Sequence, residues 1–524
     1  LIVMPPNAKP KELVNARESC DALTPQLVAY LKESMKGKID EDAQYAFVVF
    51  GASGDLAKKK IYPTLWWLFR DSLLPCNVNF IGYARSDLNM EKLRDGFEGN
   101  CQVKESERSK FESFLRHCSY IRGQYDQSDG IKHLQSAISG KEEESGNKAV
   151  NRLFYLAVPP TVYMDVATQL KNNCMDDGDS WTRIVLEKPF GYNLSSAREL
   201  SDHIATLFEE EQIYRIDHYL GKEIVQNIMV LRFGNRLFCP TWNRHHIESV
   251  LIDFKENIGT SGRAGYFEKA GMIRDVMQNH LLQLLTFAAM EKPKSLDADG
   301  IRNEKARLLQ SIKPIDVNNV VIGQFVGDPD SENEIARVGY KDDPGVSEDS
   351  KTETFATAVL WIDNDRWRGV PFIMRCGKGL DESKSEIRMQ YRTVEDDLYP
   401  QGALQRSEVI IGVKPNEGLF VKIMTKKPGL EFEVEDTILD MSYSSKYTDI
   451  RLPEAYERLF LEVFMGSQIN FVRTDEVDYA WRIFSPLLEA LKDKEPIKYR
   501  FGSTGPKESD ALIHKYGFSF DGSY

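Results

Sequence analysis

Between Arg215 and Glu223 the chain reads RIDHYLGKE, and five of these nine side chains carry charge or titrate: Arg215, Asp217, His218, Lys222 and Glu223. Tyr219 adds a phenol. The flanks are apolar, with Ile213 before and Ile224, Val225 and Ile228 after. Ionisable groups among apolar residues need partners or a task, so the stretch is either a solvated turn or an active site. Read as a strand, IYRIDHY sends successive side chains to opposite faces. Asp217 and His218 then do not pair with each other, and Asp217 must find a partner elsewhere. His218, Tyr219 and Lys222 bracket a helix start, with Gly221 at the turn. Two potential cations and a hydroxyl near a helix N-terminus suit a phosphate.

A second histidine offers Asp217 that partner. In GMIRDVMQNHLLQLL, Ile273, Val276, Met277, His280 and Leu284 fall on one helical stripe. A core histidine would sit there equally well. The functional alternative is a general base oriented by a carboxylate. Asp275 lies one turn earlier on a neighbouring face, and Glu256 ends the strand LIDFKE; both are placed to bind substrate hydroxyls. In EKPFG (187–191), Pro189 biases Lys188 toward an extended backbone. Strand C-termini of a doubly wound sheet face the ligand crevice, so Lys188 is placed to reach coenzyme and substrate. A surface-turn lysine is the competing reading.

FGASGDLAKK follows the buried strand YAFVVF and opens a helix. Gly51 and Gly54 permit a tight turn and close backbone approach. The first helical N–H groups, around Ala52, Ser53, Asp55, Leu56 and Lys58, favour a phosphate. Ala57 is small enough for close helix–strand packing. The spacing is GxxGxxA rather than GxGxxG, and a turn with no ligand would look the same. After the second strand, GYARS places Arg85 where an acid usually holds the ribose hydroxyls of NAD; an Arg accommodates a 2′-phosphate instead. Asp87 stands close by, so the coenzyme preference stays open on these residues.

The elements that position these groups follow from periodicity. The 524 residues suggest two to four domains. Residues 1–44 form an N-terminal segment with one short helix near Pro25–Met35. Over 45–215, the apolar runs YAFVVF, VNFIGYA, RLFYLAV and TRIVLE alternate with helical stretches. That is the rhythm of a doubly wound, Rossmann-like parallel sheet. Over 216–524 a helix near 220–230 and a long amphipathic helix near 270–290 precede many short strand-like runs, which suits a large antiparallel sheet with helices. Residues 328–352 read as a surface loop, and two helices near 453–466 and 475–492 follow the strands. A net charge of −13 argues against a nucleic-acid surface. Seven cysteines without a CxxC pair read as reduced thiols in the cytoplasm, with no zinc set. No 18-residue apolar run predicts a membrane span.

Six segments stand in order: GASGDLAKKKIYP, GYARS, PPTVY, EKPFG, RIDHYLGKE and RDVMQNHLLQ. With them the chain resembles the glucose-6-phosphate dehydrogenases from about residue 45 onward. The resemblance implies oxidation of glucose 6-phosphate at C1 with hydride transfer to NADP⁺, and a homodimer or homotetramer joined through the sheet domain. It implies His280 as general base and Asp217 as its orienting carboxylate. His218, Tyr219 and Lys222 match the phosphate set, Lys188 a contact to substrate and coenzyme, and Glu256, Asp275 and Lys378 further substrate contacts. Lys414 differs from the relatives' residue, as does Ser383, but supplies positive charge. Gly51, Ser53, Gly54, Asp55, Leu56, Arg85 and Tyr163 match the coenzyme site. Of a second, structural NADP⁺ site held by some eukaryotic members, Arg375, Lys384, Arg388, Lys422 and Asp440 are present. Gly412, Phe420, Thr504 and Phe520 replace more polar or basic residues there. The rival from another class is a dinucleotide-binding protein without turnover.

Overall fold

The computed structural model describes residues 21–520 apart from 145, 147–148, 176–177, 179, 261, 396–397, 401 and 448–449. Most of the expected N-terminal segment, residues 1–20, therefore lies outside the described residues. The expected short helix is present at Pro25–Met35, where the Thr24 hydroxyl accepts from the Leu27 N–H and Pro25 occupies the first turn.

Six strands form a parallel sheet: β1 Gln44–Phe50, β2 Val78–Ala84, β3 Cys118–Arg122, β4 Val150–Leu156, β5 Thr182–Glu187 and β6 Ile213–Ile216. Their order is β3-β2-β1-β4-β5-β6, the doubly wound arrangement with a topological switch between β1 and β4. β4 is buried along its whole length and β1 at six of seven positions, as expected for strands covered on both faces.

Nine further strands make one mixed sheet: β7 Ile247–Lys255, β8 Val320–Val326, β9 Phe355–Trp361, β10 Pro371–Gly377, β11 Lys384–Tyr391, β12 Glu408–Lys414, β13 Gly418–Lys426, β14 Val434–Ser442 and β15 Ile497–Arg500. The order is β14-β13-β12-β11-β7-β10-β9-β8-β15. Pairings are antiparallel except β7–β10 and β8–β15. One face packs on the helices that carry His280 and its neighbours. The other face is met by the helix Lys507–Lys515, through Leu512 and Ile513 on Leu251, Val359 and Ile373.

Three sequence expectations change. The strand read into IYRIDHY ends at Ile216; Asp217 caps a tight 3₁₀ turn, His218–Gly221, by accepting from the Tyr219 N–H at 3.0 Å. The long helix over 270–290 is broken at Gly271, whose φ of 65° is left-handed, and its middle portion Ile273–Leu281 is π-helical. Within 328–352, short 3₁₀ turns replace a plain surface loop, and Tyr340 is fully buried with its hydroxyl donating to Glu268 at 2.5 Å.

The helix Ala455–Met465 crosses from the second half of the chain onto the parallel sheet. Phe460 packs on Phe47 of β1 at 5.4 Å and on Tyr155 of β4 at 5.5 Å between ring centroids. Leu459, Val463 and Phe464 join the same core. Replacing Phe460 by Ala should cost about 3–5 kcal/mol, read as a lower urea midpoint. An unchanged midpoint would show that this helix is not integral to the sheet's core.

Candidate active site

Asp217 leaves the end of β6 and meets the π-helical segment Ile273–Leu281. Its Oδ1 lies 2.6 Å from His280 Nδ1, and the two residues are 2% and 3% exposed. A carboxylate only accepts, so Nδ1 carries the proton and Nε2 is left with the lone pair. Burial opposes the Asp217 charge, but His280, its hydrogen bond and the nearby His218 outweigh burial and hold the carboxyl down at about 2. The imidazole is further fixed by the Tyr219 ring, nearly parallel at 4.6 Å, and by the edge of His218, also at 4.6 Å.

Asp217 does meet His280, but the expectation that it points away from His218 does not hold. The reason is the 3₁₀ turn rather than strand alternation: His218 is past the strand, and Asp217, His218 and His280 offer polar atoms within 4.8 Å of one another. Burial, then the neighbouring His280, pushes the His218 imidazole well below its usual range. Lys222 Nζ pairs with Glu417 Oε1 at 2.9 Å. The remaining charges of the opening stretch are structural. Arg215 pairs with Glu210 at 2.7 Å, and Glu223 pairs with Arg458.

The π winding matters for Asp275. It bonds residue i to i+5, so Asp275 and His280 come to one side of the segment rather than to neighbouring α-helical faces. Lys188, one residue past β5, donates from Nζ to Asp275 Oδ1 at 2.9 Å and to its carbonyl oxygen at 2.7 Å. Burial disfavours the Asp275 charge, yet Lys188 and Lys378 outweigh it and lower the carboxyl below its ordinary range. Lys378 pairs with Glu256 at the end of β7. Lys414 stands exposed at the end of β12, in register with Ser385.

At the glycine turn, Gly51 has φ 80°, and a Cβ there would run into the Ala157 carbonyl. Its N–H donates to Tyr83 O at 2.8 Å. Ser53 and Gly54 are half-buried and Asp55 is exposed, while Ala52 and Ala57 are buried under the turn. This backbone cradle fits a dinucleotide phosphate. Ser53 Oγ lies 2.9 Å from Ser86 Oγ, joining the turn to the end of β2. Arg85 lies over the Tyr125 ring, 5.3 Å from its centroid, while the neighbouring Asp87 is taken by Arg122 at 3.3 Å. Tyr163 is fully buried, and its hydroxyl donates to the Glu187 carbonyl at 2.7 Å.

The second-site residues meet carboxylates. Arg375 is bidentate on Asp253 at 2.9 and 2.6 Å, and Arg388 on Glu408 at 2.6 and 2.7 Å. Lys384 pairs with Glu386 at 3.0 Å and Lys422 with Asp436 at 3.7 Å, while Asp440 accepts from the Ser442 N–H. Phe520 and Phe518 lie over Arg375 and Arg388.

Sequence reading passed over Glu187, Tyr456, Glu417 and Glu353. Glu187 had a signal, an acid directly before Lys188 at a buried strand's end. Glu353 accepts from the Ile273 N–H at 3.1 Å and so caps the segment bearing Asp275 and His280 from a distant part of the chain; nothing local marks it.

Two family models match the chain: "Glucose-6-phosphate dehydrogenase, NAD binding domain" over residues 48–227 and "Glucose-6-phosphate dehydrogenase, C-terminal domain" over 229–521. A glucose-6-phosphate 1-dehydrogenase of Caenorhabditis elegans is 59% identical over 506 residues, covering 96% of this chain and 97% of the relative. One from Drosophila melanogaster is 51% identical over 487 residues, covering 93% and 92%. Among solved structures, a glucose-6-phosphate dehydrogenase in complex with its substrate glucose-6-phosphate superposes with a TM-score of 0.86 at 42% identity, covering 92% of this chain and 99% of that one. The Mycobacterium avium enzyme gives 0.79 at 29% identity over the same shares. With the Asp217–His280 centre and all but the first four residues of its two sheets inside the matched regions, the chain belongs to the glucose-6-phosphate dehydrogenase family.

Proposed function

We propose that this chain oxidises glucose 6-phosphate at C1 to 6-phosphogluconolactone, with NADP⁺ as coenzyme, His280 as general base and Asp217 as its orienting carboxylate. The observation that carries the reading is the buried 2.6 Å Asp217–His280 pair, set beside His218, Tyr219 and Lys222. His280 Nε2 takes the proton of the C1 hydroxyl while the C1 hydrogen departs with its electron pair. The bound nicotinamide supplies the hydride acceptor. Asp217, ionised throughout the neutral range, stabilises the imidazolium that forms.

His218, Tyr219 and Lys222 receive the 6-phosphate, which competes with Glu417 for the Lys222 ammonium. Lys188 and Asp275 form one preassembled pair for sugar and coenzyme, and Glu256 with Lys378 another. Lys414 adds positive charge at the rim. Gly51 to Lys58 hold the coenzyme phosphates. Arg85 is read as the 2′-phosphate ligand, because Asp87 is engaged elsewhere and Arg85 makes no ion pair among the described residues. Arg375, Lys384, Arg388 and Lys422 of the second coenzyme set each meet an acid, as Lys188, Lys222 and Lys378 do at the main site. We assign the division of labour to a coenzyme domain over 45–215 and a substrate domain over 216–524. Association as a homodimer or homotetramer through the nine-stranded sheet is supported by Ile438 and Met441, exposed on its edge strand β14. No described helix is long and apolar enough to cross a membrane. A cytoplasmic setting suits the free thiols of Cys101, Cys174 and Cys376.

His280→Asn should lower kcat by about 10²–10⁴-fold, with little change in substrate Kd by calorimetry. His218→Asn should instead weaken glucose 6-phosphate binding by about 10–100-fold; the reverse pattern would sink the assignment. Initial rates with NADP⁺ and NAD⁺ test Arg85: its change to Ala should raise KM for NADP⁺ and leave KM for NAD⁺ near its starting value. Coenzyme binding with no turnover of either sugar phosphate or sugar would favour the non-catalytic rival.

The depressed Asp217 carboxyl also predicts a pH signature. Stability from an acid whose folded pKa lies below its unfolded value is complete above the unfolded pKa, near 3.9, and is lost as pH falls toward about 2. The gap in urea midpoint between the parent chain and Asp217→Asn should therefore be widest above about pH 4 and narrow below it. A gap independent of pH would mean that Asp217 is not held ionised by His280.

A further inference from the structure

His218 is the phosphate-side imidazole, yet its ring makes no hydrogen bond among the described residues. Its orientation rests on three ring neighbours. Tyr219 and His280 meet it at steep angles, 63° and 74°, with centroids 5.1 and 4.6 Å away. The third, Tyr456 on the helix Ala455–Met465, lies nearly parallel at 11° and 5.9 Å, inside the range for offset aromatic pairs. Tyr456 alone of the three has no assigned role.

Tyr456 is itself anchored. Its hydroxyl donates to Glu187 Oε1 at 3.1 Å, and Tyr155 of β4 donates to the same oxygen. Tyr163 donates to the Glu187 carbonyl, so three phenols converge on one buried residue. Glu187 ends β5 and leads directly into Lys188. A buried carboxylate needs such donors. Here they also join the sheet that carries the coenzyme turn to the ring that backs His218.

We infer that Tyr456, held by Glu187, is a positioning residue that sets the orientation of His218 and so shapes the phosphate subsite. The inference rests on the reading of His218 as phosphate ligand. On this account Tyr456 acts through His218 and touches neither the base nor the reacting carbon.

The experiment compares glucose 6-phosphate with glucose at saturating NADP⁺. Tyr456→Phe keeps the ring but frees it from Glu187. It should raise KM for glucose 6-phosphate by about three- to tenfold, change kcat by less than about twofold, and leave kcat/KM for glucose unaltered. Tyr456→Leu, which removes the ring, should raise that KM further, and an unchanged NADP⁺ Kd shows the variant to be folded. In a His218→Asn background, Tyr456→Phe should add nothing. Equal losses on both sugars, or an additive loss in the double variant, would overturn the inference and leave Tyr456 as core packing. Should His218→Asn alone leave KM for glucose 6-phosphate unchanged, the phosphate-ligand reading fails first and takes this inference with it. An intact KM in Tyr456→Phe beside a raised one in His218→Asn refutes the positioning role alone.

Discussion

The hydrogen bond between Asp217 and His280 is the constraint to which the rest of the site conforms. A carboxylate 2% exposed is costly unless a cation or donor meets it. Asp217 has two: the His280 ring and the Tyr219 N–H. Both contacts require the parallel sheet to stop at Ile216, the chain to enter a 3₁₀ turn at once, and the segment Ile273–Leu281 to cross just beyond the strand end. Moving any of these would strand a buried charge, so the pair couples the coenzyme-side sheet to the substrate-side helices.

The surrounding ions are organised in the same way. Lys188 pairs with Asp275, Lys378 with Glu256 and Lys222 with Glu417. Each carboxylate fixes where its partner ammonium points. In the proposed reaction a sugar phosphate meets ammonium groups whose directions are set by the fold. The helix Ala455–Met465 completes the arrangement by burying Phe460 in the parallel sheet's core while presenting Tyr456 to His218.

Much of this was legible in the chain. Buried apolar runs marked β1, β2, β4 and β5, because strands covered on both faces leave no polar alternation to misread. The strands passed over were short or edge ones: Cys118–Arg122, Ile497–Arg500, and Val434–Ser442 with its Glu435, Asp436 and Asp440. Charges within these strands interrupt the apolar signal. Within the site, RIDHYLGKE announced its chemistry but not its division of labour. Arg215 and Glu223 proved to be structural ion pairs, and His218 lies beyond the strand it was read into.

The sequence by itself determined the kinds of groups present and the order of the elements that carry them, since residue type and periodicity are local properties. Which groups meet was decided only by the tertiary structure. Asp217 and His280 are 63 residues apart, Lys188 and Asp275 87, and Glu187 and Tyr456 269. Contacts of that separation depend on how the sheets and helices pack. The π winding that brings Asp275 and His280 to one side of their segment departs from the 3.6-residue period on which any local reading relies.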